Sequence, residues 1–304
     1  MRLLVVGSVA FDAVRTPHGA VDRMIGGSAT YFSVAASYFT QVRVVGVVGD
    51  DFEDEHHQVF VERGVCTEGL ERVSGKTFFW SGEYSADLNN RTTLVTDLNV
   101  FADFEPKLPP HYRQTPYLFL GNIDPELQSL VHRQMENPHI VAGDTMNLWI
   151  ESKREHLGET LRGIGMLIIN DSEARLLSGE HNLLKAARAI RAMGPQTVVI
   201  KRGDNGATLF QDGEIFTAPA LPLEEVFDPT GAGDSFAGGF MGYLAAHLVP
   251  GTPPAPDVLR RAIIYGSVLG SFAVEDFGLA RLRKLTRPEI DARYDEFRRL
   301  TRFE

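Results

Sequence analysis

The chain has 304 residues, of which 43% are apolar and 23% charged, an ordinary composition for a water-soluble protein. Its 40 acidic and 30 basic residues give a formal charge of −10. That balance argues against a nucleic-acid backbone as partner, but not against a nucleotide, because local N–H groups and one or two cations can hold phosphate. Cys66 is the one cysteine, so no disulfide can form within the chain, and a reducing cytoplasm is the expected setting. The apolar run at Leu3–Val6 is too short for a signal peptide. The longest apolar-rich stretch, Ala262–Val274, is interrupted by Gly and Ser and too short to span a bilayer, so no membrane partner is expected.

In chain order, Leu3–Val6 reads as a buried strand closed by Gly7, and Ser28–Phe39 as a helix with Tyr31, Ala35 and Tyr38/Phe39 on one side. Val44–Val48 is a second short strand. Asp50–His57 (DDFEDEHH) has the look of a metal cluster, but acids at the first turns of a solvated helix explain it better. Lys76–Tyr84 and Arg91–Leu98 are β-prone and joined by the polar loop Ser85–Asn90, which predicts a hairpin. It carries Phe78, Phe79, Trp80 and Tyr84, too many rings to bury alone. It is therefore either a sheet edge, or a lid or dimer clasp over a site.

The second half alternates strands at Tyr117–Leu120, Ile140–Val141, Met166–Ile169 and Thr197–Ile200 with helices at Glu126–Glu136, Ser152–Arg162 and Leu183–Met193. That rhythm predicts a mainly parallel sheet with helices on both faces, and a site along the carboxyl edge of the strands. Pro250–Pro256 reads as a surface loop between two helices. No repeat and no linker divides the chain, so one α/β domain over residues 1–304 is expected.

Several motifs fail. Gly75-Lys76-Thr77 lacks the earlier glycine of a phosphate-binding Walker loop, since Leu70 stands there, and a β-prone run follows the lysine. Gly231-Ala232-Gly233 is followed by Phe236 where a dinucleotide fingerprint needs its third glycine. The missing fingerprint disfavours a nicotinamide dehydrogenase.

Phe227–Phe240 (FDPTGAGDSFAGGF) is the strongest signal. Pro229 constrains the turn, and Gly231, Ala232 and Gly233 let successive N–H groups approach a ligand. The following helix adds positive potential, which makes an anion hole for a phosphoryl group. Asp234 is placed to accept a proton from an attacking hydroxyl, and the plainer alternative is a helix N-cap.

This segment resembles the C-terminal signature of the ribokinase family, the PfkB carbohydrate kinases. Gly7–Asp12 is similar to that family's first strand and substrate-binding aspartate, Gly26-Gly27-Ser28-Ala29 to its di-glycine motif, and Val45–Phe52 to the strand that follows. Asn170–Glu173 resembles its N-x-x-E motif, and Ile200–Ala207 its nucleotide-binding strand and loop. The resemblance implies a ribokinase-like three-layer αβα sandwich with a small β-lid formed by about 13–23 and 76–98.

It further implies an ATP-dependent kinase that phosphorylates a hydroxymethyl group of a small sugar, with Asp234 as catalytic base and Gly231–Gly233 as anion hole. A nucleoside kinase of the same mechanism is the alternative, and a non-catalytic ligand-binding protein on the same fold the reading from another class. Asp12, Gly26 and Gly27 would hold acceptor hydroxyls. Asn170 and Glu173 would position hydrated Mg²⁺, their plainer reading being a helix capping box. Lys201, Gly203 and Gly206 would approach the nucleotide. Asp228 would bind a monovalent cation, K⁺, with carbonyls of Ala273–Gly278. A homodimer through the lid is the expected partner arrangement.

Two departures concern the acceptor. Tyr31 stands where family sugar kinases often have Asn, and with Phe79 and Trp80 it is expected to stack on a sugar face or a nucleobase. Asp144–Asn147 matches the family's D-x-N only loosely.

Overall fold

The structure is a computed structural model that describes residues 2–211 and 213–302. Thirteen strands form two sheets: β1 (Arg2–Val6), β2 (Ala10–Thr16), β3 (Gly19–Gly26), β4 (Gln41–Val48), β5 (Cys66–Arg72), β6 (Phe78–Tyr84), β7 (Arg91–Asp97), β8 (Tyr117–Leu120), β9 (Ile140–Gly143), β10 (Met166–Asn170), β11 (Thr197–Lys201), β12 (Ala207–Gln211) and β13 (Glu214–Ala218). The main sheet runs β13-β12-β11-β10-β9-β8-β1-β4-β5. It is parallel from β5 to β11, and β12 and β13 add antiparallel strands at one edge. The order reverses at β1, which lies between β4 and β8. Such a switch point opens a crevice at the carboxyl ends of the strands.

Side chains alternate across β1, and both faces are covered. Leu3 and Val5 enter a core with Phe32, Phe240 and Leu269 from the helices Ser28–Ala36, Ala232–His247 and Pro256–Ala273. Leu4 and Val6 enter the opposite core with Leu157, Ala174 and Ala187. The result is the three-layer helix–sheet–helix arrangement that continuous apolar strands predict.

The second sheet has the order β3-β2-β6-β7. The hairpin over 76–98 is present as β6 and β7, but it is not isolated. β2 and β3 form a second hairpin, and β2 pairs in parallel with β6. The aromatic rings therefore divide. Phe78 stacks on Phe101 at 5.3 Å, while Phe79 packs against the core of the main sheet. Buried reciprocal hydrogen bonds join the two ends of the β2–β3 hairpin: Ser8 N–H donates to Ser28 Oγ (3.2 Å) and Ser28 N–H to Ser8 Oγ (3.0 Å).

Some boundaries differ from the sequence reading. The helix expected to reach Phe39 ends at Ala36. The stretch Ser152–Arg162 divides into the end of Asn147–Ser152 and most of Arg154–Gly163. Lys153 breaks it, with φ −131° and its ammonium drawn 2.7 Å from Asp124. Asp50–His57 behaves as read only in its second half: Asp54–His57 start the helix Asp54–Val61 behind a capping box between Glu53 and His56, while Asp50 and Asp51 lie in the turn before it.

Phe32 is fully buried and stacks on Phe119 of β8 at 4.4 Å, which fixes the Ser28–Ala36 helix on the sheet. Phe32→Ala is expected to cost about 3–5 kcal/mol in urea unfolding, because the closed packing leaves little room for collapse.

Candidate active site

The carboxyl ends of β9, β10 and β11 deliver Asp144, Asn170 and Lys201 side by side. Opposite them the Ala232–His247 helix begins. Its N-cap is Gly231, in the left-handed region at φ 74°, and no side chain caps it. Asp234 lies in the first turn, inside the helix, so the N-cap reading of this residue does not hold. Gly231 also has no space for a side chain: a Cβ there would fall on the Tyr31 ring. A Cβ on Gly233 would stand 2.7 Å from Lys201 Nζ, which places the ammonium against the glycine-rich turn.

Lys201 acts electrostatically on three carboxylates, those of Asp144, Glu173 and Asp234. Burial raises all three, and Lys201 pulls each back toward ionisation. Asp144 is held well above the ordinary carboxylate range by burial and by its neighbours Asp234 and Glu173. Its Oδ1 is buried with no hydrogen-bond partner. An orphaned carboxylate oxygen beside two further acids fits a hydrated divalent cation, a hard ion that prefers oxygen ligands.

Asn170 and Glu173 form the reciprocal capping box: Glu173 N–H donates to Asn170 Oδ1 and Asn170 N–H to Glu173 Oε2, each at 2.8 Å. Gly203 and Gly206, both at positive φ, carry the tight turn after β11.

The second sheet supplies the other wall. Asp12, inside β2 and 5% exposed, lies directly over Gly26 and accepts from the Gly27 N–H. Tyr84 Oη lies 3.1 Å from Thr230 Oγ1, tying β6 to the glycine-rich loop. Trp80 packs across Gly82 in its own strand, with Arg91 4.9 Å above the ring. Arg91, at the start of β7, reaches electrostatically to Asp12, Glu173 and Asp234.

One expectation is corrected. Tyr31 is 1% exposed with its ring under Gly231, so no ring face is open for stacking; the feature it offers is a buried, unpartnered hydroxyl near Asp12, Asp228 and Asp234. Asp228 is fully buried, and the 274–278 loop turns the Gly278 N–H toward it. Oδ1 accepts from Thr230 N–H (2.9 Å) and Oδ2 from Gly278 N–H (3.1 Å). Each oxygen keeps a further lone pair.

Arg91 escaped the sequence reading as a site residue, and Asp144 entered it only through the loose D-x-N match. The position of Asp144 just after a buried strand was the available signal; Arg91, one residue past a polar loop, gave none.

The pfkB family of carbohydrate kinases matches this chain over residues 2–284, and the chain belongs to that family. It is 29% identical to the cytidine kinase of Thermococcus kodakarensis over 79% of this chain and 87% of that one. It is 27% identical to a nucleoside kinase of Methanothermobacter thermautotrophicus over 91% of this chain and 90% of that one. Aminoimidazole riboside kinase from Salmonella enterica, solved with aminoimidazole riboside and an ATP analogue, shares the fold with a TM-score of 0.76. That match is 20% identical and covers 97% of this chain and all of the other. The protein is thus a sugar or nucleoside kinase on a ribokinase-like fold, a phosphotransferase with a hydroxyl acceptor. Among the described residues no helix is long and apolar enough to cross a membrane.

Asp12 gives a test of the site's electrostatics. Burial first, then Asp228 and Asp234, push its carboxyl from 3.8 up to about 7. Between those values the folded protein keeps a proton that the unfolded chain has lost. Stability therefore falls as pH rises through this window, and the deficit is complete above it. Asp12→Asn removes the group, so the variant should melt roughly 3–8 °C above wild type at pH 8 and together with it near pH 4.

Proposed function

We propose that this kinase transfers the γ-phosphoryl group of MgATP to the primary hydroxyl of a nucleoside. The arrangement that carries the reaction is Asp234 in the first turn behind Gly231–Gly233, with Lys201 against the same turn. Asp234 removes the acceptor proton as the oxygen attacks. The N–H groups of Gly231, Ala232 and Gly233, the positive end of their helix and Lys201 take up the charge that develops on the phosphoryl oxygens. MgATP supplies the phosphoryl group, and its metal ion neutralises phosphate charge. Asp144 and Glu173 would hold that ion through water, and Gly203 and Gly206 would border the nucleotide. Asn170 contributes by keeping Glu173 in place through the capping box.

Asp12, Gly26 and Gly27 hold the acceptor hydroxyls, with Trp80 beside them. Support for a nucleoside comes from the cytidine kinase and the nucleoside kinase described above, each aligned over most of both chains. A free small sugar is the second reading, favoured by the carbohydrate-kinase family itself. The second sheet acts as the lid, with Arg91 carrying a positive charge over the site. Edge strand β7 exposes Leu94 (48%) and Val95 (38%), which suits pairing with a second copy in a homodimer.

Asp234→Asn is expected to lower kcat by roughly 10²–10⁴ while leaving the fold and ATP affinity near those of wild type. A variant with most of its kcat would remove Asp234 from the mechanism. ADP formation across a panel of nucleosides and sugars identifies the acceptor. Turnover with free sugars alone would favour the second reading, and no turnover with any acceptor would leave a ligand-binding protein.

Asp228 is proposed as a ligand of a K⁺ ion that orders the loop entering the anion hole. Exchange of Na⁺ for K⁺ at constant ionic strength should then raise kcat. Equal rates in the two salts would remove the cation from the reading.

A further inference from the structure

At the amino-terminal side of the main sheet, away from the reaction site, three side chains of different chemistry converge. Cys66 and Glu68 are two residues apart on edge strand β5, where the register against β4 shifts between Cys66 and Gly69. His111 comes from the short turn Pro110–Tyr112 that leads toward β8. The Cys66 sulfur, a Glu68 carboxylate oxygen and a His111 ring nitrogen all lie within 4.8 Å of one another, and all three residues are exposed. His111 Nε2 stands 3.5 Å from Glu68 Oε2.

We propose that Cys66, Glu68 and His111 form a binding site for a divalent transition metal ion, Zn²⁺ by ligand chemistry, with water in the fourth position. Tetrahedral zinc with one sulfur, one nitrogen and one oxygen ligand sets its donors roughly 3.4–3.6 Å apart. The His111–Glu68 pair already has that separation, and rotamer adjustment brings in the sulfur. A thiolate and a carboxylate together match the double charge of the ion, and a neutral imidazole completes the set. Thiolate and imidazole select zinc over Mg²⁺ or Ca²⁺, so this site is chemically distinct from the oxygen-lined one around Asp144 and Glu173. On binding, the Cys66 thiol gives its proton to solvent as the metal–sulfur bond forms.

The surroundings hold the donors in place. Tyr112, fully buried, donates from Oη to Cys66 Sγ and to the Cys66 carbonyl, each at 3.0 Å. The His111 ring stands edge-on to Tyr112 at 4.8 Å. Arg43 donates to the His111 carbonyl (2.6 Å) and to Thr115 Oγ1 (2.7 Å), which fixes the turn that presents the imidazole. Outer groups of this kind orient metal ligands. An exposed Glu–His ion pair would account for Glu68 and His111, but not for the sulfur within 4.8 Å of both.

The test is a titration of the intact, chelator-stripped enzyme with Co²⁺, followed by displacement with Zn²⁺. Tetrahedral cobalt with a cysteine ligand gives a thiolate-to-metal band in the near ultraviolet, which an ion at an all-oxygen site does not. The expected result is one equivalent of such a band, absent in Cys66→Ser. Zn²⁺ affinity, from competition with a chromophoric chelator, should weaken at least about tenfold in both His111→Ala and Glu68→Gln. All three positions are exposed, and far-ultraviolet circular dichroism confirms that the variants fold. If His111→Ala does not fold, His111→Gln replaces it. Absence of the thiolate band overturns the proposal, as does a band that survives in Cys66→Ser. So does Zn²⁺ affinity within about threefold of wild type in either other variant.

Discussion

Lys201 occupies the point on which the site depends. Its ammonium sits against the glycine-rich turn and within reach of Asp144, Glu173 and Asp234. Each of these acids is desolvated, and a desolvated carboxylate is tolerated only beside compensating charge. With Asp12 and Asp228 added, the acids outnumber the nearby cations Lys201 and Arg91. The excess leaves a demand for positive charge that a hydrated metal ion meets. It also leaves acids with raised proton affinity, which suits a group that must take a proton from an alcohol.

The fold meets this electrostatic requirement by topology. Successive parallel strands end at one edge, so residues far apart in sequence arrive there together without special loops. The glycine-rich turn faces them from the first turn of a helix whose dipole has the required sign. The second sheet reaches the same place from β1, which sits where the strand order reverses. Tyr84 on Thr230 and Arg91 over the acids then join two sheets that share few other polar contacts at the site.

How legible each part was follows from how local its physics is. The turn at Asp228–Asp234 works through consecutive backbone groups, so its residues are contiguous and the sequence displays them. The capping box at Asn170–Glu173 is equally local, and the strands of the second half are short apolar runs with little ambiguity. Asp144 works only because β9 lies next to β10 and β10 next to β11, a relation that no window of sequence contains. Arg91 acts across from another sheet. Most of β3 is exposed or half-buried, so it lacks the apolar alternation that would have marked it. Tyr31 reads as an aromatic near a substrate motif, and only packing shows that its ring is spent under Gly231.

The paired serines at the base of the β2–β3 hairpin give the second sheet a fulcrum. Ser8 and Ser28 bond each other reciprocally where the hairpin leaves and rejoins the main body. The clasp is one of that sheet's fixed points on the main body, with Thr77 bonded to Asp51 at the base of β6 as another. Asp12 and Gly26 lie a few residues from it and are linked across the hairpin, so they sit on the short arm and shift little, and together. Arg91 lies two strands away, on the long arm. One small rotation about the clasp would leave Asp12 almost where it stands while carrying the positive charge of Arg91 toward or away from Glu173 and Asp234.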